Sequence, residues 1–333
     1  MEYKILIYIL FSFIVLFSFA KISYKLNLID FPNERKNHSK PTAFTGGISI
    51  SVVLLFTLQA IDVFDNSLGL ILSFGFLISI VGLIDDKFHL NIGGKLSLQI
   101  FPIIYLIIFE NFRLSHLGDY DYFKLQLGSF EVPFTLFSVL LLINAFNYFD
   151  GIDGTLSFTS ISVISILIFL VQDQSFILFL IIILISLLIF LCFNFSLFKL
   201  PKLFLGDNGS LLLGFIISFV LIYLTNQKFI HPILLAWSIS IFVYEFLSIN
   251  LIRLKNNQNP FTPGQDHLHN LLFKKTKSIF FTNLFISLIN IIFFIVGYFS
   301  FLMISPLCSF ILFISFFIIF LILRYNYSKT MSG

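Results

Sequence analysis

Charge is what this sequence has least of. Only 11% of its 333 residues are Asp, Glu, Lys or Arg, and the formal net charge is +3. A soluble domain carries about 25% charged residues. So small a positive excess does not imply nucleic acid as a partner, and none is expected; the few charges serve better as markers of membrane topology. Cysteine is nearly absent: Cys192 and Cys308 both lie inside apolar runs. That excludes a secreted disulfide scaffold and makes both thiols soft core residues rather than a bridge or a metal site. There is no Walker A loop, no Gly-x-Gly-x-x-Gly after a strand, no His-Glu-x-x-His, no Cys-x-x-Cys and no heptad run. Nor is there an internal repeat of the kind found in many transporters.

What is present is apolar. Hydrophobic residues make up 58% of the chain, Phe alone occurs 48 times, and the mean hydropathy is +1.00. A water-soluble fold of about 300 residues buries only about three quarters of the surface its chain exposes, which could not hide this much. Outer-membrane barrels alternate with period two, whereas runs such as Ile177 to Phe193 are continuous. The composition predicts an all-α, polytopic integral membrane protein, with residues 1–333 forming one membrane-embedded domain.

A helix needs roughly 20 apolar residues to cross the hydrocarbon. By that rule eleven spans are predicted, near 4–23, 46–62, 67–84, 96–111, 132–148, 155–172, 174–193, 209–226, 231–251, 278–298 and 302–323. The first has no small-x-small cleavage site and reads as a retained span rather than a signal peptide. With the N-terminus outside, sixteen of the twenty Lys and Arg residues fall on inner segments, and only Lys4, Arg113, Lys124 and Lys228 lie outside. The positive-inside rule therefore places the C-terminus in the cytoplasm. The inner segments also hold nearly every distinctive polar residue, as expected of an enzyme that takes a soluble substrate from the cytoplasm.

Asp85 and Asp86 stand together at the end of the third span, where the helix dipole disfavours acids and a cation would favour them. Asn144, Asn147 and Asp150, spaced by three, form one polar stripe at the end of the fifth span. Gly151 and Gly154, with Asp153 between them, break that helix and let backbone approach a ligand. Polar groups at the end of a span point to a polar cavity. The eighth span opens on Leu205-Gly206-Asp207-Asn208-Gly209-Ser210. Free backbone N–H groups at such a start suit phosphate, and an adjacent Asp suits Mg²⁺; a plain N-cap by Asp207, Asn208 or Ser210 is the bland alternative. Glu245, inside the ninth span, is a functional candidate by default, with Arg253 as an ordinary pairing partner. The longest inner loop carries Pro260-Phe261-Thr262-Pro263 and then His267-Leu268-His269. A zinc site lacks further ligands there; a role near phosphate or as a proton carrier fits better. The first inner loop, Asp30 to Gly47, is basic and turn-rich, suited to anionic lipid or to an anionic substrate.

Taken in order, these segments resemble the polyprenyl-phosphate N-acetylhexosamine-1-phosphate transferase family (glycosyltransferase family 4), the membrane enzymes that start lipid-linked glycan synthesis. The match runs through Asp30-Phe31-Pro32-Asn33-Glu34-Arg35-Lys36-Asn37-His38, Gly46-Gly47-Ile48, Asp85-Asp86, Asn144-x-x-Asn147-x-x-Asp150-Gly151-Ile152-Asp153-Gly154, Phe204-Leu205-Gly206-Asp207-Asn208-Gly209-Ser210 and the Pro260–His269 loop. The resemblance implies transfer of a sugar-1-phosphate from a UDP-N-acetylhexosamine to polyprenyl (undecaprenyl) phosphate, with release of UMP, for a cell-wall or lipopolysaccharide pathway at the bacterial inner membrane. It implies Mg²⁺, with Mn²⁺ as a substitute, and leaves room for a homodimer. Carried over, Asp207 is the metal ligand, and Asp85 and Asp86 position or deprotonate the lipid phosphate. Asn144, Asn147, Asp150, Asp153 and Gly206 bind substrate. His267, as a catalytic residue, and His269 flank the diphosphate. Two positions depart from the family pattern. Gly264-Gln265-Asp266 stands where an Arg commonly precedes the histidines, and Ala43 stands where a Pro precedes the first-loop glycines. The rival reading, a transporter of a lipid-linked or anionic glycan precursor, calls for ionisable residues at mid-membrane in several spans; here only Glu245 qualifies.

Overall fold

A computed structural model describes residues 2–32, 40–60, 66–260, 264 and 266–332. The first-loop residues 33–39, residues 261–263 of the Pro-Phe-Thr-Pro segment, and Gln265 lie outside the described residues. The chain is helical almost throughout, in two compact units.

The first unit comprises Met1–Pro102 and Gln172–Ile217. It holds α1 (Glu2–Lys25), α2 (Gly46–Ala60), α3 (Asn66–Phe88), the start of α4 (Ile92–Ile108), α7 (Gln174–Asn194) and the start of α8 (Asp207–Asn226). Apolar runs make each of these a helix, and local signals end them. Asn27 takes the left-handed conformation (φ 53°) just past α1, and Leu28 N–H closes back on the Ser23 carbonyl, the usual way a helix satisfies its last carbonyls. The Asp173 carboxylate caps α7 by accepting from Phe176 N–H at 2.7 Å. α1 packs on α2 and α7, and α2 on α3. Buried hydroxyls take partners within the packing: Tyr8 OH donates to the Ile182 carbonyl and meets Ser186 Oγ. β1 (Ile29–Asp30) and β2 (Thr42–Ala43) pair antiparallel, and Ala43 also bridges Leu203 in parallel.

The second unit comprises Ile103–Val171 and Ser218–Gly333. Its helices are α5 (Glu131–Phe149), α6 (Thr155–Leu170), α9 (Pro232–Ser238), α10 (Ser240–Lys255), α11 (Leu268–Thr276), α12 (Ile279–Met303) and α13 (Pro306–Ser332). α12 is the hub, packing on α6, α9, α10, α11 and α13. The stretch between α4 and α5 forms a hairpin of β3 (His116–Tyr120) and β4 (Phe123–Gln126).

The ninth predicted span is broken. α9 and α10 meet at 71° around Ile239. No proline or glycine causes the break; Asn290 of α12, fully buried, supports it. Its Nδ2 donates to the Ser238 carbonyl (2.9 Å) and Ser162 Oγ (3.1 Å), and its Oδ1 accepts from Ile241 N–H and Ser240 Oγ, each at 3.4 Å. Backbone groups freed inside a membrane protein must be re-satisfied in this way.

Among the described residues, seven helices are long and apolar enough to cross a membrane, and the bent α9–α10 pair, taken as one span, makes an eighth. Each of the eleven predicted segments falls largely on helix among the described residues, but α2, α4 and α6 have 15, 17 and 16 residues. At 1.5 Å per residue they reach about 22–26 Å, short of a hydrocarbon core of about 30 Å. Length and composition therefore establish a multi-pass helical membrane protein without fixing the number at eleven.

Candidate active site

In the first unit the predicted carboxylates converge. Asp85 and Asp86 occupy the last turn of α3, and Asp207 opens α8. The glycines let these elements close up. A Cβ on Gly82 would fall into the backbone of Asp207 and Asn208, and one on Gly47 would fall into the backbone of Gly209. Gly206 adopts φ +74°, a left-handed turn, which favours glycine. Gly46 and Gly47 N–H donate to the Phe204 and Leu205 carbonyls, both at 2.9 Å, so the first-loop glycines hold the strand-like approach to α8.

The two adjacent aspartates then do different things. The Asp86 carboxylate accepts three N–H groups: Asp207 N–H at 3.0 Å, Asn208 N–H at 3.1 Å and Asn208 Nδ2 at 2.6 Å. It caps the N-terminus of α8 from another helix, where the N–H groups have no intrahelical partner. The sequence offered Asp207, Asn208 or Ser210 for that task. Instead Asn208, fully buried, is a three-way tie: its Nδ2 also donates to the Phe44 carbonyl (2.6 Å), and its Oδ1 accepts from Ile48 N–H (2.7 Å). Asp85 uses one oxygen to accept from Leu90 N–H at 2.9 Å. Its other oxygen lies 2.6 Å from Lys95 Nζ, and the same ammonium contacts Asp207 Oδ2.

Lys95 was not legible as a site residue; in the sequence it is one inner charge among sixteen. Its position tests the donor set for Mg²⁺. Two carboxylate oxygens, from Asp85 and Asp207, share one small cationic centre. Mg²⁺ is usually held by one or two carboxylates plus phosphate oxygens, so the pair fits that ion. Among the described residues, no group of three or more His, Cys, Asp or Glu side chains gathers into an all-protein cage. Asn194, the last residue of α7, faces the approach to α8, donating from Nδ2 to the Leu203 carbonyl at 2.9 Å.

In the second unit the stripe at the end of α5 meets the histidine loop. A Cβ on Gly151 would collide with the His269 ring. Tyr148 stands edge-on to His267 with ring centroids 4.8 Å apart, and Phe149 lies 6.4 Å from His269. Asn144 turns back on its own helix, Nδ2 to the Leu140 carbonyl at 2.7 Å. Asn147, Asp150 and Asp153 are partly exposed. The Gly151–Gly154 turn is clamped by Asn283 of α12, which the sequence did not single out: its Nδ2 donates to the Asp153 carbonyl (2.8 Å) and its Oδ1 accepts from Thr155 Oγ1 (2.7 Å).

The two histidine rings lie parallel, centroids 5.6 Å apart, and His267 Nδ1 and His269 Nε2 are buried without a hydrogen-bond partner among the described residues. Burial, then the charges of His267 and Arg324, push the His269 imidazole down to about 3. Burial also lowers His267, against the opposing pull of Glu245 and Asp266. Both rings are thus neutral near pH 7, which suits hydrogen bonding to a ligand better than carrying a proton.

Glu245 does not pair with Arg253. It forms a bidentate pair with Arg324 of α13, both contacts at 2.8 Å, while Arg253 pairs with Asp266 (3.0 and 2.7 Å) and donates to the Pro260 carbonyl. Arg253 and Arg324, counted from the sequence among the inner charges, are buried at 3% and 6% exposure.

Residues 68–225 match the family model described as glycosyl transferase family 4. An undecaprenyl-phosphate alpha-N-acetylglucosaminyl 1-phosphate transferase of Pasteurella multocida is 33% identical over 280 residues, covering 79% of this chain and 76% of the relative. The protein of that name from Yersinia pestis is 30% identical over 277 residues (81% and 76%), and that from Escherichia coli K12 is 28% identical over 281 (80% and 74%).

Proposed function

Because the chain belongs to glycosyl transferase family 4, we propose that it transfers N-acetylhexosamine-1-phosphate from a UDP-sugar to undecaprenyl phosphate and releases UMP. The product would begin a lipid-linked glycan of the cell envelope. The observation that carries this reading is the Asp85–Lys95–Asp207 cluster beside the start of α8, a charge arrangement made for phosphate chemistry. The names of the relatives select the lipid and sugar classes. Eleven spans, an outer N-terminus and a cytoplasmic C-terminus in the bacterial inner membrane belong to the same proposal.

In the reaction a lipid-phosphate oxygen attacks the β-phosphorus of the UDP-sugar. One P–O bond forms, the diphosphate P–O bond breaks, and UMP leaves with the bonding pair. Asp207 would hold Mg²⁺, or Mn²⁺ in its place, together with phosphate oxygens, an ion that when bound neutralises diphosphate charge. Lys95 supplies a fixed positive charge to phosphoryl oxygens. Asp85, with one oxygen tied to Leu90 N–H and one on Lys95, is the carboxylate placed to take the last proton of the lipid phosphate. That phosphate has a second pKa of roughly 6, so little help is needed near neutrality. Asp86, with three N–H groups on its carboxylate, is a positioning residue. Asn147, Asp150, Asp153, His267 and His269 serve the nucleotide-sugar through neutral hydrogen bonds and carboxylates.

The test is UMP release by the purified protein from a panel of UDP-sugars, with and without undecaprenyl phosphate. Release should require the lipid and be fastest with a UDP-N-acetylhexosamine, and Asp207→Asn should abolish it in a folded protein. Absence of lipid-dependent UMP release from every UDP-N-acetylhexosamine would overturn the reading.

A further inference from the structure

The ion pair between Glu245 of α10 and Arg324 of α13 is buried on both sides, at 1% and 6% exposure. A buried pair is a poor device for stability alone, because desolvation offsets most of its attraction and an apolar pair of similar volume often serves as well. This pair has further bonds. Glu245 Oε1 accepts from Leu268 N–H at 2.7 Å, and an Arg324 terminal nitrogen donates to the Asp266 carbonyl at 2.8 Å. The two bonds take hold of the backbone on either side of His267. Leu268 N–H is the first amide of α11, an orphan donor, and Glu245 caps it from another helix. A second grip lies one residue upstream of His267, where Arg253 holds the Asp266 carboxylate. α11 itself has only nine residues and cannot fix its own start.

We propose that the Glu245–Arg324 pair is a positioning device that sets the His267-Leu268-His269 segment, making the C-terminal helix α13 a determinant of donor binding. This rests on the transferase reading for the word donor; the grip on the loop stands apart from it. Both partners lie beyond residue 225, where the family-model match ends.

The experiment uses the full chain and the double variant Glu245→Leu/Arg324→Met, which removes both charges together and so leaves no buried ion unpaired. Three quantities are read: thermal stability, hydrogen–deuterium exchange in the peptide containing Leu268, and kcat and KM with UDP-N-acetylglucosamine and undecaprenyl phosphate. The expected result is a folded protein in which exchange at Leu268 accelerates at least 10-fold. The KM for the UDP-sugar should rise about 10-fold while that for the lipid stays within 2-fold. Wild-type exchange at Leu268 together with an unchanged KM for the UDP-sugar would overturn the proposal. If the double variant does not fold, Arg324→Lys decides: it keeps the charge but cannot reach both Glu245 oxygens and the Asp266 carbonyl, so a smaller change in the same two quantities is expected, and none refutes the grip. If the wild type shows no transferase activity, the exchange arm still decides the positioning claim, so the two failures are distinguishable.

Discussion

Asp86→Asn separates two tasks that the sequence assigns to one pair of carboxylates. In the structure Asp86 is saturated by Asp207 N–H, Asn208 N–H and Asn208 Nδ2. Asparagine keeps one oxygen and turns an NH₂ group toward donors. With its oxygen turned to the two donors on Oδ2, the Asp207 N–H bond, worth about 1.5–3 kcal/mol, is lost, together with the charge assistance of the other two and a negative charge at a helix N-terminus. Relief of repulsion with Asp207 returns part of this, leaving a net loss of about 2–4 kcal/mol. Against a total stability of roughly 5–15 kcal/mol, that is large. It corresponds to a fall in melting temperature of roughly 5–15 °C. Asp207→Asn should behave in the opposite way. Its side chain engages Lys95 from a partly exposed position, so its melting temperature should stay close to wild type while turnover collapses. The assay is a thermal melt of detergent-purified protein beside lipid-dependent UMP release for both variants. An Asp86→Asn protein that melts like wild type yet has lost turnover would refute the capping role and return Asp86 to the reacting phosphates.

Two further outcomes are expected. Reporter fusions after Lys255 should give a cytoplasmic signal and those after Asp121 an external one; a cytoplasmic signal at Asp121 would reverse the map drawn from the basic residues. His269, held down to about 3 when folded against about 6.5 when unfolded, binds protons in the unfolded chain first. Stability contributed by its neutral burial is full above pH 6.5 and falls as the pH drops toward 3, by about 2 kcal/mol at pH 5. Denaturation curves at pH 7.5 and 5 for wild type and His269→Asn should differ by that amount, and equal pH slopes would contradict it.

What could be read from the sequence was local. The apolar run ending at Phe193 became α7, the Gly-Ile-Asp-Gly segment ended α5, and Asp207 opened α8. The interactions that were missed join residues far apart in the chain. The break at Ile239 has no proline or glycine to announce it, because its support, Asn290, lies about fifty residues away. Glu245 finds Arg324 rather than the closer Arg253, a choice made by how α13 packs on α10. Lys95 shows no motif, since a lone lysine near a span start is indistinguishable from a topology signal. The hairpin of β3 and β4 and the short helix α11 lie in loops whose composition carried no periodicity to read.

The same solution appears in each unit, and it explains why adjacent acidic residues are needed. A helix start has N–H groups without intrahelical partners, which side chains, water or ligands must satisfy. A local cap would do so with the first side chain of the helix itself. At α8 that side chain is Asp207, and at α11 the residue just before the helix is His267, which are the groups proposed to meet substrate. In both cases a carboxylate from a different helix does the capping, Asp86 from α3 and Glu245 from α10. The local side chain is left for another use: Asp207 reaches Lys95, and His267 keeps a ring nitrogen without a hydrogen-bond partner among the described residues. A second acid beside Asp85 is therefore not redundancy. One carboxylate holds the helix in place, and the others stand in the cluster proposed to meet the phosphates.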